Sequence, residues 1–457
     1  MSATKRKAPL GQDKAHAIKR ARPAVLEYHE APTVKNEDGS VQWPAPRSQI
    51  DDARELILES AHSGGNIMIV PDKDADGLSA GSILRHTLRL LGVVGDRIQV
   101  HLLTKGNTVH SEPERDRMAL LKPDYIFVID QGSRSGPPLI DAPHQGLVID
   151  HHFATESDFP QNSRHVTACH HPPVATSSLL TYHICEPLHA EVTAKCDWLC
   201  IVGTQGDLGN TLKWQPPFPD MTATFKKYKK KTLGDVVSLV NAPRRTATYD
   251  VISAWEALSN TEEPASILTN ARLLDARAEV NAEVERCTHT APKFSSDGKV
   301  AVFRIKSEAQ VHPVIATRWA GHLQSNKLEI VMVANEGYLE GLVNFSCRIA
   351  RCARSRDPPV NIIESLKAYA SLPSTEHTEA GDAAQGPELL ERMGENFARG
   401  HVQASGGIVA VEDFDELMRR MEVGVKKAAS SSPNKKKKDV DAKQKNTLMG
   451  YFQKKGQ

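Results

Sequence analysis

The chain has 457 residues, a net charge of +1, 40% hydrophobic residues and a mean hydropathy of −0.41. That length allows two or three domains with real cores, and the lack of a long apolar run excludes a membrane-spanning helix. The basic, polar N-terminus shows no secretory leader, and seven scattered cysteines point to a reducing compartment rather than a disulfide framework.

The charge is unevenly spread. Residues 1–22 hold seven Lys/Arg against Asp13 alone, a charge of +6. Residues 424–457 hold ten Lys against two Asp, a charge of +8, so the remainder carries −13. An acidic body with two basic tails is not a surface that grips long duplex by charge. In the first tail, Lys5-Arg6-Lys7 and Lys19-Arg20-Ala21-Arg22 stand about a dozen residues apart. That spacing resembles a bipartite nuclear import signal, which implies a nuclear location and an import receptor as partner. The lysines at 435–438 offer a second basic cluster.

The first predicted strand runs through the apolar residues 67–70 and feeds Asp72, Asp74 and Asp76. Alternate residues of an extended segment share a face, so Asp72 and Asp74 are expected to enter one pocket, with Lys73 on the other face. Gly77 is expected to turn the chain into a helix. A second buried-type strand, residues 125–129, ends at Asp130, and a third ends at Asp150-His151-His152. A fourth apolar stretch, 198–202, reads as a strand before Asp207. The C-terminal edge of an open α/β sheet is where ligands bind. Carboxylates and imidazoles gathered there are the donors that Mn²⁺, Zn²⁺ or Fe²⁺ prefers.

"DKDADG", "VIDQGS", "VIDHH" and "GTQGDLG" resemble the four motifs of the DHH phosphoesterase superfamily, in the order and spacing of its RecJ-like branch. The resemblance implies an enzyme with two divalent ions, usually Mn²⁺ with Mg²⁺ or Co²⁺ as alternatives, that hydrolyses phosphodiesters. It implies Asp72, Asp74, Asp76, Asp130, His151 and Asp207 as the metal-binding set, with Asp130 bridging the ions. Which first-motif acid touches metal directly is left open. His152 is implied to face the scissile phosphate, and Asp150 to orient or ligate nearby.

Further along, "ACHHPP" brings Cys169, His170 and His171 together, read as a loop before a helix near Ser177 rather than a further metal site. Cys196 and Cys200, one helical turn apart, read as packing. "FKKYKKKT" interleaves Phe225 and Tyr228 with lysines, either a strand-binding groove or a solvated loop. Residues 266–287 suit a connecting helix. "NFSCRIAR" and "ARGHVQASGG" resemble the Ser-x-Arg and glycine-histidine signatures of the DHH-associated domain. They imply substrate contacts from Ser346, Arg348, Gly400, His401, Gly406 and Gly407 on a glycine-rich loop. Arg399 stands where the family usually has a glycine.

The expected fold is α/β, with a mainly parallel-sheet DHH domain at 46–245 and a helical connector at 246–295. A smaller α/β DHH-associated domain follows at 296–425. Disordered basic tails are expected at 1–45 and 426–457, with a low-complexity insertion at 373–387. In the second tail Leu448, Tyr451 and Phe452 fall at i, i+3 and i+4, one face of a helical turn. This resembles a PIP box, the peptide that docks on the PCNA sliding clamp, with Lys445 in the place usually held by Gln.

The resemblance covers roughly residues 50 to 425 and implies a nuclear, Mn-dependent phosphodiesterase on single-stranded DNA or short oligonucleotides. An exonuclease of replication or repair is the expected role. RecJ-type enzymes carry a further OB-fold not found after residue 425, which favours short substrates of the nanoRNase kind. A noncatalytic DHH-type replication scaffold is the competing class.

Overall fold

The structure, a computed structural model, describes residues 33–36, 38–373, 388–394 and 396–425. The basic clusters of both tails, most of the low-complexity insertion, and Leu448, Tyr451 and Phe452 lie outside the described residues.

Five parallel strands form the first sheet: β1 (Ile67–Pro71), β2 (Ile98–Val100), β3 (Tyr125–Ile129), β4 (Gln145–Asp150) and β5 (Ser163–Thr167). Their order is β2-β1-β3-β4-β5. Continuous apolar runs suit strands covered on both faces. Ile67 and Ile69 of β1 enter the larger core, which includes helix Ala75–Leu90, while Met68 and Val70 enter a smaller core on the opposite face. In this order the chain reverses direction across the sheet between β1 and β3. A crevice opens there, past the carboxyl ends of the strands.

The stretch 198–202 is not a strand. It lies within helix Val192–Leu208, and Asp207 sits on that helix's last turn. Trp198, Cys200 and Ile201 are all buried, so the helix is apolar around its circumference and its sequence loses the 3.6-residue signature. Residues 222–240 also depart from expectation. "FKKYKKKT" forms the end of helix Thr222–Tyr228 and the start of helix Lys230–Val240, with Lys229 at φ 62° between them. Phe225 packs edge-on against Trp214 at 5.7 Å, and Lys227 pairs with Glu263 at 3.0 Å, so this segment is neither a stacking groove nor a loop.

The larger core continues through helix Val251–Ser259 to Leu273, the start of the long helix Ala271–Thr288. That helix's later residues, Val280 and Val284, pack into the second lobe. The second sheet is mixed: β6 (Lys293–Phe294), β7 (Val300–Ile305), β8 (Ile330–Leu339), β9 (Leu342–Ile349), β10 (Arg399–His401) and β11 (Ala404–Ala410). Its order is β10-β11-β9-β8-β7-β6, and only the β7–β8 pair is parallel. Gly406 and Gly407 lie within β11, paired with Ser346 and Phe345 of β9. The expected glycine-rich loop is therefore a β-hairpin with Gly400 on its edge strand.

Candidate metal centre and substrate cleft

The first motif does not stay extended. After β1 the chain bends, and Asp74 caps helix Ala75–Leu90 by accepting from the amides of Asp76 and Gly77 at 3.0 and 3.3 Å. Gly77 thus lies inside the helix rather than at a turn. A Cβ there would meet the backbone O and N of Asp72 at 2.7 and 2.8 Å, so glycine is required by close approach. Lys73 does not point away; its Nζ lies 3.2 Å from Asp72 Oδ1. Alternation fails because the backbone between Asp72 and Asp74 leaves the strand.

Asp76, fully buried, accepts from the amides of Ser177 and Ser178 at 2.7 and 3.0 Å. Those amides open helix Ser177–Cys185, whose positive end favours a carboxylate. Asp130 follows β3 in the left-handed region at φ 63°, with its amide bonded to Ile149 O at 2.9 Å. For a residue other than glycine that conformation costs on the order of 1 kcal/mol or more, a strain found at functional sites. Ser177 Oγ donates to its carboxylate at 2.9 Å.

Asp150 ends β4 and is 1% exposed. Its Oδ1 accepts from the amides of His151 and His152 at 2.8 and 3.2 Å, and lies 2.8 Å from His152 Nδ1. Burial acts to raise its pKa, but the His152 hydrogen bond and charge, with Ser133, bring it down to about 2. It thus orients His152 rather than joining the cluster of donors. His152 is half exposed in the cleft, with Nε2 as the ring nitrogen left for a substrate. Burial works against its charge, yet Asp150 raises its pKa to about 9.

His151 Nε2 lies 3.1 Å from Asp207, 3.3 Å from Asp130 and 3.9 Å from Asp76, yet makes a well-formed hydrogen bond with none of them. Three donor groups result: Asp76/His151/Asp207, Asp130/His151/His152 and Asp72/Asp74/Asp130. Within each, one ligand atom per residue lies within 4.8 Å of the others. Asp130 and His151 are each shared by two groups, so the acids form one continuous cluster. Burial first, then Asp207, pushes the Asp76 carboxyl up to about 6, and burial with Asp76 raises that of Asp130 well above its usual range. Oxygen and imidazole donors crowded this closely fit hard or borderline divalent cations, whose charge would offset the mutual repulsion.

Beside the cluster, a cleft of about 550 Å³ is bounded on one side by the second lobe, a size suited to a nucleotide-like ligand. Asp72, Asp130, Asp150 and His152 line one wall; Gln310, His312, Asn344, Arg399, Gly400, Gly406 and Gly407 are on the other side. Ser346 and Arg348 are not on this wall. Arg348 turns back, donating to Ser346 Oγ at 2.9 Å and Cys347 O at 2.8 Å. His401 belongs to β10 by its backbone.

Several cleft residues escaped sequence reasoning. His312 and Asn344 are buried, line the cleft, and keep Nδ1 and Oδ1 without partners, as groups awaiting a polar ligand do. Arg244 donates to Asn241 and Gln310 and lies 3.8 Å from Asp74, tying the first motif to the second lobe. None carries a local signal, since each reaches the site through tertiary packing. Cys169, His170 and His171 join none of the donor groups among the described residues, and His170 Nε2 is bonded to Ala154 O at 2.7 Å.

No family model matches the chain, and no curated protein matches it in sequence. Solved structures match its fold. RecJ from Thermus thermophilus in complex with Mn²⁺ superposes with a TM-score of 0.56 at 16% identity, over 87% of this chain and 56% of the RecJ chain. The chain therefore spans little more than half of that protein. A second exonuclease RecJ, bound to manganese, gives 0.53 at 18% identity over 84% and 95% of the two chains. The DHH domain of a member of the s1p family of ribosomal proteins gives 0.58 at 12% identity, over 82% and 90%. The chain has the RecJ-like DHH fold, with a parallel sheet in one lobe and a mixed sheet in the other.

Proposed function

We propose that this protein is a two-metal phosphodiesterase of nuclear single-stranded DNA or short oligonucleotides, acting as an exonuclease in replication or repair. The observation that carries the reading is the continuous donor cluster, in which Asp130 and His151 each belong to two groups. Asp72, Asp74 and Asp130 would hold one cation, and Asp76, His151 and Asp207 the other. Manganese is the preferred ion, since two structures of the same fold were solved with it. When bound, such ions neutralise phosphoryl oxygens and acidify water.

The chain's own residues do the rest. His152, steadied by Asp150, donates a hydrogen bond or proton to phosphate oxygens in the cleft. His312 and Asn344 offer polar contacts to the nucleotide from the second lobe. The hairpin of β10 and β11 places Gly406 and Gly407 where backbone can approach the ligand closely. Arg348 and Ser346 would brace that wall from behind. The basic tails would supply nuclear import, and the Leu448/Tyr451/Phe452 face would dock on a PCNA-type clamp.

The test is hydrolysis of labelled single strands and dinucleotides by the purified chain with Mn²⁺. Wild type should turn over at least one class, and Asp130→Ala none. Equal inertness of both on every substrate would sink the enzyme and leave the scaffold reading.

A further inference from the structure

The cleft does not end at His152. A second chamber of about 770 Å³ continues from it, and the two share Ser133, Arg134, His152, Phe153, Arg399 and Gly400 in their walls. We propose that this second chamber holds the continuation of a single strand, and that the substrate is a chain of about three or more nucleotides rather than a dinucleotide. This rests on the phosphodiesterase reading for its reaction but on separate residues for its binding.

Phe153 marks the passage between the chambers. It follows His152 directly, is 79% exposed, and is braced edge-on by His170 at 5.6 Å. Single exposed apolar residues are ordinary on protein surfaces. This one lines both chambers beside the reactive histidine, where a base could stack on its open face. Ile363, Leu390 and Phe397 add apolar surface in the second chamber. Lys367 and Arg399 are exposed on the same lining, placed to meet backbone phosphates.

Two acids also line the chamber. Asp158 is occupied by the amide and hydroxyl of Thr155 at 2.8 and 2.6 Å, and Glu391 lies on helix Leu389–Met393. Arg399 lines both chambers. It carries a cation at their junction. Aromatic surface interleaved with cations is how sequence-tolerant strand binding is built.

The test uses the full chain with Mn²⁺ and compares kcat/KM on a dinucleotide, a tetranucleotide and a strand of about ten nucleotides, in DNA and RNA forms. Wild type should prefer the tetranucleotide to the dinucleotide by about tenfold or more, the scale of one stacked base. Phe153→Ala and Lys367→Glu should each erase most of that preference, and Phe153→Trp should keep it. An active enzyme with no length preference, or variants that slow all lengths equally, would overturn the proposal. Fluorescence anisotropy on the same strands separates it from the reaction. Tighter binding of the longer strands, lost in Phe153→Ala and Lys367→Glu, supports the chamber even if nothing is hydrolysed, a result that would remove only the phosphodiesterase reading.

Discussion

His152 Nδ1 sits 2.8 Å from Asp150 Oδ1, the same oxygen that accepts the backbone amides of both histidines. One buried carboxylate therefore fixes the turn and the ring together. Asp150→Asn preserves the shape but offers an amide where three donors converge. We expect turnover to fall about 10- to 100-fold, the usual cost of losing an orienting partner. Bound metal, measured by elemental analysis, should change far less than in Asp130→Ala.

Removing metal should destabilise the protein as well as silence it. Asp76 and Asp130 repel one another when ionised in a buried site. A cation present at about 100 times its dissociation constant would add ~2.7 kcal/mol to the folded state. Thermal melts with chelator and with added Mn²⁺ should show that shift. Asp130→Ala should lose the response to Mn²⁺.

Two helical glycines make opposite predictions. A Cβ on Gly203 would fall 2.2 Å from Ser178 Oγ and 2.9 Å from Asp76 Oδ1. Gly203→Ala should cost ~1–3 kcal/mol as an overpacked contact, read by urea unfolding, and should weaken metal binding through Asp76. Gly321 in helix His312–His322 has nothing within 4 Å of the same position. Gly321→Ala should stabilise by ~0.4–1 kcal/mol through the unfolded chain.

Glu114 anchors the loop that carries His110 to the cleft. Its buried carboxylate accepts from Thr104 N and Oγ1 at 3.0 and 2.6 Å and from Asn107 Nδ2 at 2.9 Å, and lies 2.8 Å from His101 Nε2. Burial acts to raise its pKa, but these bonds lower it from 4.5 to about 2. The folded pKa is depressed, so its stabilisation is complete above about pH 4.5 and lost as pH falls toward 2. Glu114→Gln should destabilise by ~2–4 kcal/mol at neutral pH, and urea titrations should find the deficit shrinking below pH 4.5.

The tail proposal is checked separately. Tyr451→Ala combined with Phe452→Ala should abolish binding of the full chain to a PCNA-type clamp in calorimetry. Unchanged affinity would remove the clamp from the account.

The acids at 72, 130 and 150 were legible because parallel strands buried on both faces leave continuous apolar runs, and a polar residue at the end stands out. Asp207 was placed near the site by its motif but on the wrong element, since an all-round buried helix and a buried strand share the same composition. Lys73 was misdirected for a related reason. The alternation rule assumes extended backbone, and the cap at Asp74 breaks it. Ser177, Arg244, His312 and Asn344 were invisible because the acids of the site they join lie tens of residues or more away in sequence.

Asp76 spends both carboxylate oxygens on the opening amides of helix Ser177–Cys185. Its hold on the fold is therefore independent of any reaction. A descendant chain that abandoned hydrolysis could shed Asp72 or Asp207, which receive no backbone amide bond among the described residues. It would still need Asp76 to seat that helix. Among the acids of this cluster, the most deeply embedded one is thus the poorest marker of a living enzyme, and the partly exposed pair is the better one to watch.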